Sequence, residues 1–293
     1  MSEWTAWPGR EERRQDVLSC ARVERWCATL DCAGPINGMA PQGTHWILCT
    51  PDEPTAALGT DGHPRRDDTA ESFLPPLPLP RRMWAASKVS FLAPLRLGEG
   101  IARRSRVVSI APKQGGSGQL VFVEVEHETL CGAELAVREV QSLVYREASP
   151  RGAPPVPPPS GPDGFDPSPW DAVRTLTPAE PLLFRFSALT FNSHRIHYDL
   201  PYATCEEGYR GLVVHGPLTA TLLLDLVRRE LGEQALAQLA FRALSPAICG
   251  EPLHLALRRA GDQLELGAFA SDGRPIMSAT ARTEAILPKA WHS

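Results

Sequence analysis

The stretch from Phe191 to Leu218 concentrates the side chains best suited to moving protons. It carries His194, His197 and His215, with Asn192 ahead of them and Gly216-Pro217 at its end. A neutral histidine near its ordinary pKa can take a proton from water. Asn192 can orient that water through its amide oxygen or its NH2 group, although it cannot itself exchange a proton near neutral pH. Gly216-Pro217 suits the start of a helix, where the first amides lack internal acceptors and the helix dipole is positive. Glycine there lets a carbonyl come close to the backbone, so a thioester carbonyl against the Gly216 N–H would be polarised and its enolate stabilised. Together these groups could add water across a C=C bond conjugated to a thioester. A metal site is the competing account, since His194 and His197 are three apart and His215 could join them. No carboxylate-rich or cysteine-rich partners have ligand spacing, and Arg195 intervenes, so no metal is expected.

These residues need elements to hold them. Pro217 to Leu231 predicts a helix: Pro217 fits its first turn, Gly232 its C-terminal stop, and Leu218, Leu222, Leu223, Leu224 and Leu226 make it apolar on most sides. Glu11 to Leu30 also has helix-like apolar spacing. Strands are expected at Gln119–His127 and Glu134–Arg146, and again at Leu253–Arg258, Gln263–Phe269 and Pro275–Glu284, with a turn at Gly115–Gly118. Residues 91–101 align with 243–253, matching Pro94 to Pro246, Gly98 to Gly250 and Glu99 to Glu251. Each copy reads as a strand, a proline bend, a Gly-Glu turn and a second strand. A proline-rich segment at 149–172 separates the copies and reads as an extended linker. The expected fold is therefore α+β, a double hotdog of two antiparallel sheets joined side by side, each wrapping a central helix. Its parts are residues 1–148, the linker 149–172 and residues 173–293.

The bulk numbers narrow the function. The chain has 293 residues, enough for two domains, and a net charge of −4, which gives no reason to expect nucleic acid. No run approaches the roughly 20 apolar residues that would span a membrane, and the N-terminus lacks the apolar core of a secretory signal. The seven cysteines form no Cys-x-x-Cys pair, which favours a reducing, cytoplasmic location over a disulfide framework.

Asn192, then His197 five residues on, then Tyr202-Ala203, Glu207-Gly208-Tyr209 and Gly211 to His215-Gly216 resemble the motif of the MaoC-like, R-specific enoyl-CoA hydratases. Asn192 stands where that family usually has a catalytic Asp, His194 where it has Asn, and Arg195 where it has Pro. Residues 186–199, with 77–84, 91–99, 118–122 and 144–146, look like a subgroup containing mesaconyl-C4-CoA hydratase, itaconyl-CoA hydratase and mitochondrial-type 3-hydroxyacyl-thioester dehydratase. The resemblance implies a catalytic C-terminal half and an N-terminal half that shapes the acyl pocket. It implies His197 as the base, Asn192 as the water-orienting group and the Gly216 amide as the enolate donor. Arg195, His194, Tyr202, Val214, His215, Arg81, Arg82 and Trp84 are the candidate substrate contacts. The N-terminal counterpart of the His-Gly-Pro helix start is sought in Pro41–Cys49, where Trp46 follows His45. The implied substrate is an acyl-CoA or acyl-carrier-protein thioester, with no cofactor and a possible homodimer. The favoured reaction is hydration of itaconyl-CoA or mesaconyl-C4-CoA to citramalyl-CoA. Dehydration of 3-hydroxyacyl carrier-protein thioesters and a non-catalytic thioester-binding subunit are the alternatives. A bacterial-type cytoplasm is the expected location, with the mitochondrial matrix as the other option.

Overall fold

The computed structural model describes residues 4–115, 118–148 and 153–283. Gly116 and Ser117 of the expected turn, the first residues of the linker and Glu284 lie outside these. The first half runs β1 (Glu11–Val17), α1 (Cys20–Thr29), β2 (Arg81–Phe91), β3 (Gly100–Gly115), β4 (Gly118–Cys131) and β5 (Glu134–Arg146). The second runs β6 (Ala172–Leu176), α2 (Glu180–Thr190), α3 (Gly216–Leu231), β7 (Leu236–Ala243), β8 (Leu253–Ala260), β9 (Gln263–Ala270) and β10 (Pro275–Thr283). All ten strands form one antiparallel sheet, in the order β1-β3-β4-β5-β2-β7-β10-β9-β8-β6. The second half repeats the connectivity of the first in mirror order. The two meet where Ala86–Ser90 of β2 pairs with Arg242–Gln238 of β7. This is the double hotdog arrangement.

The aligned segments have the same backbone. Gly98 and Gly250 have φ of 84° and 82°, values a side chain disfavours. The Leu92 and Ala93 amides both donate to Ala136 O, and the Leu244 and Ser245 amides both donate to Ile276 O. The Gly98 amide reaches Leu18 O as the Gly250 amide reaches Pro178 O.

Helix α3 fills the concave side of the second half. Every residue from Leu218 to Val227 is buried, including Asp225, whose carboxylate is held by Arg174, Arg228 and Arg229. Burying an apolar helix in the curl of a sheet hides both apolar faces at once.

Two expectations need correction. Glu11–Leu30 is not one helix. Glu11–Val17 is an edge strand on β3 with alternating exposure, and α1 begins only after Ser19, whose side chain accepts the Arg22 amide and caps it. The helical spacing runs across that break because a short edge strand needs little apolar patterning. The first half also has no central helix: between α1 and β2 there are only short 3-10 turns at Thr44–Ile47 and Thr55–Ala57. The Ala40 amide donates to Leu95 O as the Val214 amide donates to Ala247 O. By that match Pro41-Gln42 stands opposite His215-Gly216, ahead of the His45-Trp46 pair. Gln42 bonds Leu236 of β7 through both ends of its amide instead of starting a helix, and Gly43 (φ 98°) turns the chain away. The concave face of the first half is left partly open.

The proline-rich segment packs along the second half where it is described. Val156 bridges Tyr209, Ser160 and Arg210 meet Glu251, and Phe165 stacks on His254.

Candidate active site

Helix α2 ends with Phe191 in the left-handed region (φ 50°), which turns the chain out of the helix. The Asn192 amide oxygen accepts the His194 N–H at 3.0 Å, closing a local turn and leaving the side-chain NH2 for other partners. A 3-10 turn, Arg195–His197, then brings His197 against the strand-like segment before α3. There the His197 Nδ1 lies 2.7 Å from the carbonyl of Val213. A carbonyl only accepts, so Nδ1 carries the proton and Nε2 keeps its lone pair. The ring is buried and stacks on His215 with centroids 3.5 Å apart, while His194 meets it edge-on at 5.5 Å. Burial, with His194 nearby, pulls its pKa down to about 3. The same cause holds His194 at about 3. His197 is thus a neutral base with a fixed tautomer.

His215 caps α3 but does not line the cavity, contrary to its expected place among the substrate contacts. It is 1% exposed, wedged behind His197, with Nε2 on the Ser187 hydroxyl at 2.8 Å. Burial pushes its pKa far below the ordinary value. Its work is to back the His197 ring.

Asn192, His194, His197, Val214 and Gly216 line one cavity of about 730 Å³. Gly216 is the first residue of α3, so its N–H has no acceptor within the helix. Outside its own turn of helix, the nearest atom to a methyl group placed there is the Trp84 carbonyl oxygen, at 3.9 Å. The opposite wall comes from the open face of the first half: Arg66, Trp84, His127, Gln141, Leu143 and Tyr145. The face left open by the missing helix thus becomes a wall of the cavity.

A shallower groove of about 850 Å³ adjoins the cavity, and Arg81 and Arg82 line both. Arg195 and Tyr202 line the groove only. Arg195 is already engaged: it pairs with Asp199 at 2.6 Å, bonds Thr60 O at 2.9 Å and lies over the Tyr202 ring. Arg81 pairs with Glu207 at 3.3 Å. Arg82 has no acidic partner among the described residues.

Sequence reasoning missed two residues. The loop at 59–63 crosses from the first half and places Asp61 and His63 on the cavity wall. His63 Nδ1 lies 3.1 Å from Asp61 Oδ2, and the His63 ring is 4.1 Å from that of His194. Burial raises the Asp61 pKa, but the hydrogen bonds and charge of His63 outweigh it and leave it at about 2. Asp61, His63 and His194 bring potential ligand atoms within 4.8 Å of one another. The available signal was the Asp-x-His pair itself, in a stretch without periodicity.

Residues 43–249 match the family model of hydroxyacyl-thioester dehydratase type 2. The chain belongs to this family. As a member of it the chain is a hydro-lyase of the hydratase and dehydratase kind. It is 42% identical to mesaconyl-C(4)-CoA hydratase of Chloroflexus aurantiacus over 282 residues, 95% of this chain and 97% of that one. Its fold is like that of a MaoC-like dehydratase from Phytophthora capsici, with a TM-score of 0.68 at 13% identity over 97% of this chain and 98% of that one. It is also like a Mycobacterium tuberculosis protein described as a double hotdog, with a TM-score of 0.53 at 15% identity over 94% and 96% of the two chains.

Proposed function

We propose that this hydro-lyase reversibly hydrates a short, carboxylated enoyl-CoA to citramalyl-CoA: mesaconyl-C4-CoA, a 2-enoyl thioester, by the steps that follow, with itaconyl-CoA, whose C=C is not conjugated to the thioester, as the other candidate substrate. The carrying observation is His197, neutral and with Nε2 free, in one cavity with Asn192 and the Gly216 amide. The Asn192 NH2 group orients a water. His197 Nε2 takes one of its protons as the oxygen bonds to C3. The C2=C3 electrons move toward the thioester oxygen, where the Gly216 N–H at the positive end of α3 holds the developing charge. A proton delivered to C2 completes the hydroxyacyl thioester.

The similarity to the Chloroflexus hydratase supports the carboxylated substrate, and Arg82, which lines the cavity, is the proposed partner of its carboxylate. The arginine-lined groove suits the phosphates of CoA. No cofactor is needed for this chemistry. The two halves of one chain supply what a pair of hotdog subunits would, so a further homodimer would bury a different face. Cysteines without disulfides support a reducing compartment, the cytoplasm. No helix among the described residues is long and apolar enough to cross a membrane.

The test is hydration of itaconyl-CoA, mesaconyl-C4-CoA and straight-chain crotonyl-CoA by purified protein, with His197→Gln and Arg82→Ala alongside. His197→Gln should lose about 10²–10⁴-fold in kcat. Arg82→Ala should lose turnover on the carboxylated substrates only. A preference of the wild type for crotonyl-CoA, or for a carrier-protein thioester, would refute the substrate and favour the 3-hydroxyacyl dehydratase reading. Tight acyl-CoA binding without turnover would favour a non-catalytic subunit.

A further inference from the structure

The chemistry above leaves C2 without a named proton donor. Asn192 cannot supply the proton, and burial disfavours the protonated form of His194. The loop at 59–63 brings a histidine and a carboxylate bonded to it onto the cavity wall beside His194. It is fastened to the segment that carries Asn192. The Arg195 amide donates to Asp61 O at 2.9 Å, the Ser193 hydroxyl to Gly62 O at 2.6 Å, and the Arg195 guanidinium to Thr60 O. Gly62 (φ 86°) lies so close to Ser193 that a Cβ would fall 2.0 Å from its carbonyl oxygen. A contact spanning 131 positions is thus held to a tight tolerance.

We propose that His63, backed by Asp61, is a second catalytic acid and base, supplied by the N-terminal half, which exchanges the proton at C2. This rests on reading the cavity as a hydratase site. Asp61 accepts from both the His63 backbone amide and its Nδ1, which orients the ring and leaves Nε2 as the working nitrogen. In hydration, the His63 imidazolium gives its Nε2 proton to C2, and the enolate electron pair forms the new C–H bond. His197 meanwhile holds the proton taken from water. His63 ends one proton short and His197 one proton over, and exchange through solvent resets both. The sum is one water added, OH at C3 and H at C2. The groups facing His63 are Asp61 on its own loop, His194 beside it, and Arg66 and Arg82 on the shared wall.

The same residues could be read as metal ligands. Asp61 is instead bonded to His63 through both oxygens, and its contact with Nδ1 is that of a carboxylate orienting an imidazole, with no fourth ligand grouped with the three among the described residues.

The experiment compares wild type, His63→Gln, Asp61→Asn and His197→Gln for hydration and for exchange of the C2 proton of citramalyl-CoA in deuterated water. His63→Gln should lose about 10²–10⁴-fold in turnover and its C2 exchange, with KM changed far less. Asp61→Asn should fall in between, with the loss in kcat rather than in KM, because the ring is no longer held with Nε2 toward the cavity. Added imidazole should partly restore His63→Ala, which a folding defect would not allow. If wild type hydrates and His197→Gln does not, but His63→Gln keeps near-wild-type turnover and exchange, this inference alone fails. If wild type hydrates no enoyl thioester, the functional reading fails with it. Loss of wild-type activity on chelation, restored by zinc, would overturn the acid–base role in favour of a metal.

Discussion

Acidification to pH 5 should destabilise the folded protein before any carboxylate pair is lost. His197 and His194 are held neutral at about 3, whereas in the unfolded chain they titrate near 6.5. Below pH 6.5 the unfolded state therefore binds protons that the folded state refuses, and stability falls with pH. The loss spreads from 6.5 down to about 3. Between pH 7.5 and 5 a shift of this size is worth about 2 kcal/mol per histidine. The two together give at most about 4 kcal/mol, because charging one raises the cost of charging the other. His127 and His215, also depressed by burial, act in the same direction. Asp61 and Glu139, which are depressed as well, lose their contribution only as pH approaches the ordinary carboxylate range, so this window isolates the imidazoles. The assay is urea unfolding at pH 7.5, 6.5, 5.5 and 5, on wild type and His197→Asn. The variant should recover about 2 kcal/mol of the loss at pH 5. A wild-type stability flat across this window, or a slope unchanged in the variant, would refute the argument that the stack is buried and neutral.

Gly216→Ala has room to fold, since outside its own turn of helix the nearest atom to the new methyl group is 3.9 Å away. It should leave stability within about 0.5 kcal/mol yet cut kcat/KM roughly a hundredfold by holding the thioester off the amide, as thermal melts and steady-state kinetics would show. Asp225→Asn removes the buried charge that Arg174, Arg228 and Arg229 share, and should cost about 3–5 kcal/mol in urea unfolding. Gly62→Ala meets both a positive φ and the Ser193 carbonyl, so it should cost about 1–3 kcal/mol and lower turnover by displacing the 59–63 loop.

The sequence made the second half legible because its signals were local. The apolar run from Leu218 could only be a buried helix, and Gly98 and Gly250 fixed the same turn in both copies. Asn192, His197 and Gly216 do share one cavity. What stayed hidden depends on distant partners. Glu11–Val17 becomes a strand because β3 offers it an edge, which its own pattern does not announce. The lack of a first-half helix follows from Gln42 bonding Leu236, 194 positions away. His215 was a candidate substrate contact through the His215-Gly216 motif, yet the ring of His197 stacks on it and it does not line the cavity. Asp61 and His63 lie in a loop whose place is set by Ser193 and Arg195, and no periodicity points to it.

The pairing of β2 with β7 also sets how the protein can be taken apart. Cutting the chain between its halves would bare a row of unpaired amides and carbonyls along β7 and remove one wall of the cavity. A catalytic half made alone would therefore be both floorless and adhesive, seeking another strand for its raw edge. The first half lacks the helix yet cannot be discarded: it is the permanent partner that closes the ladder, and the two halves should melt as one cooperative unit.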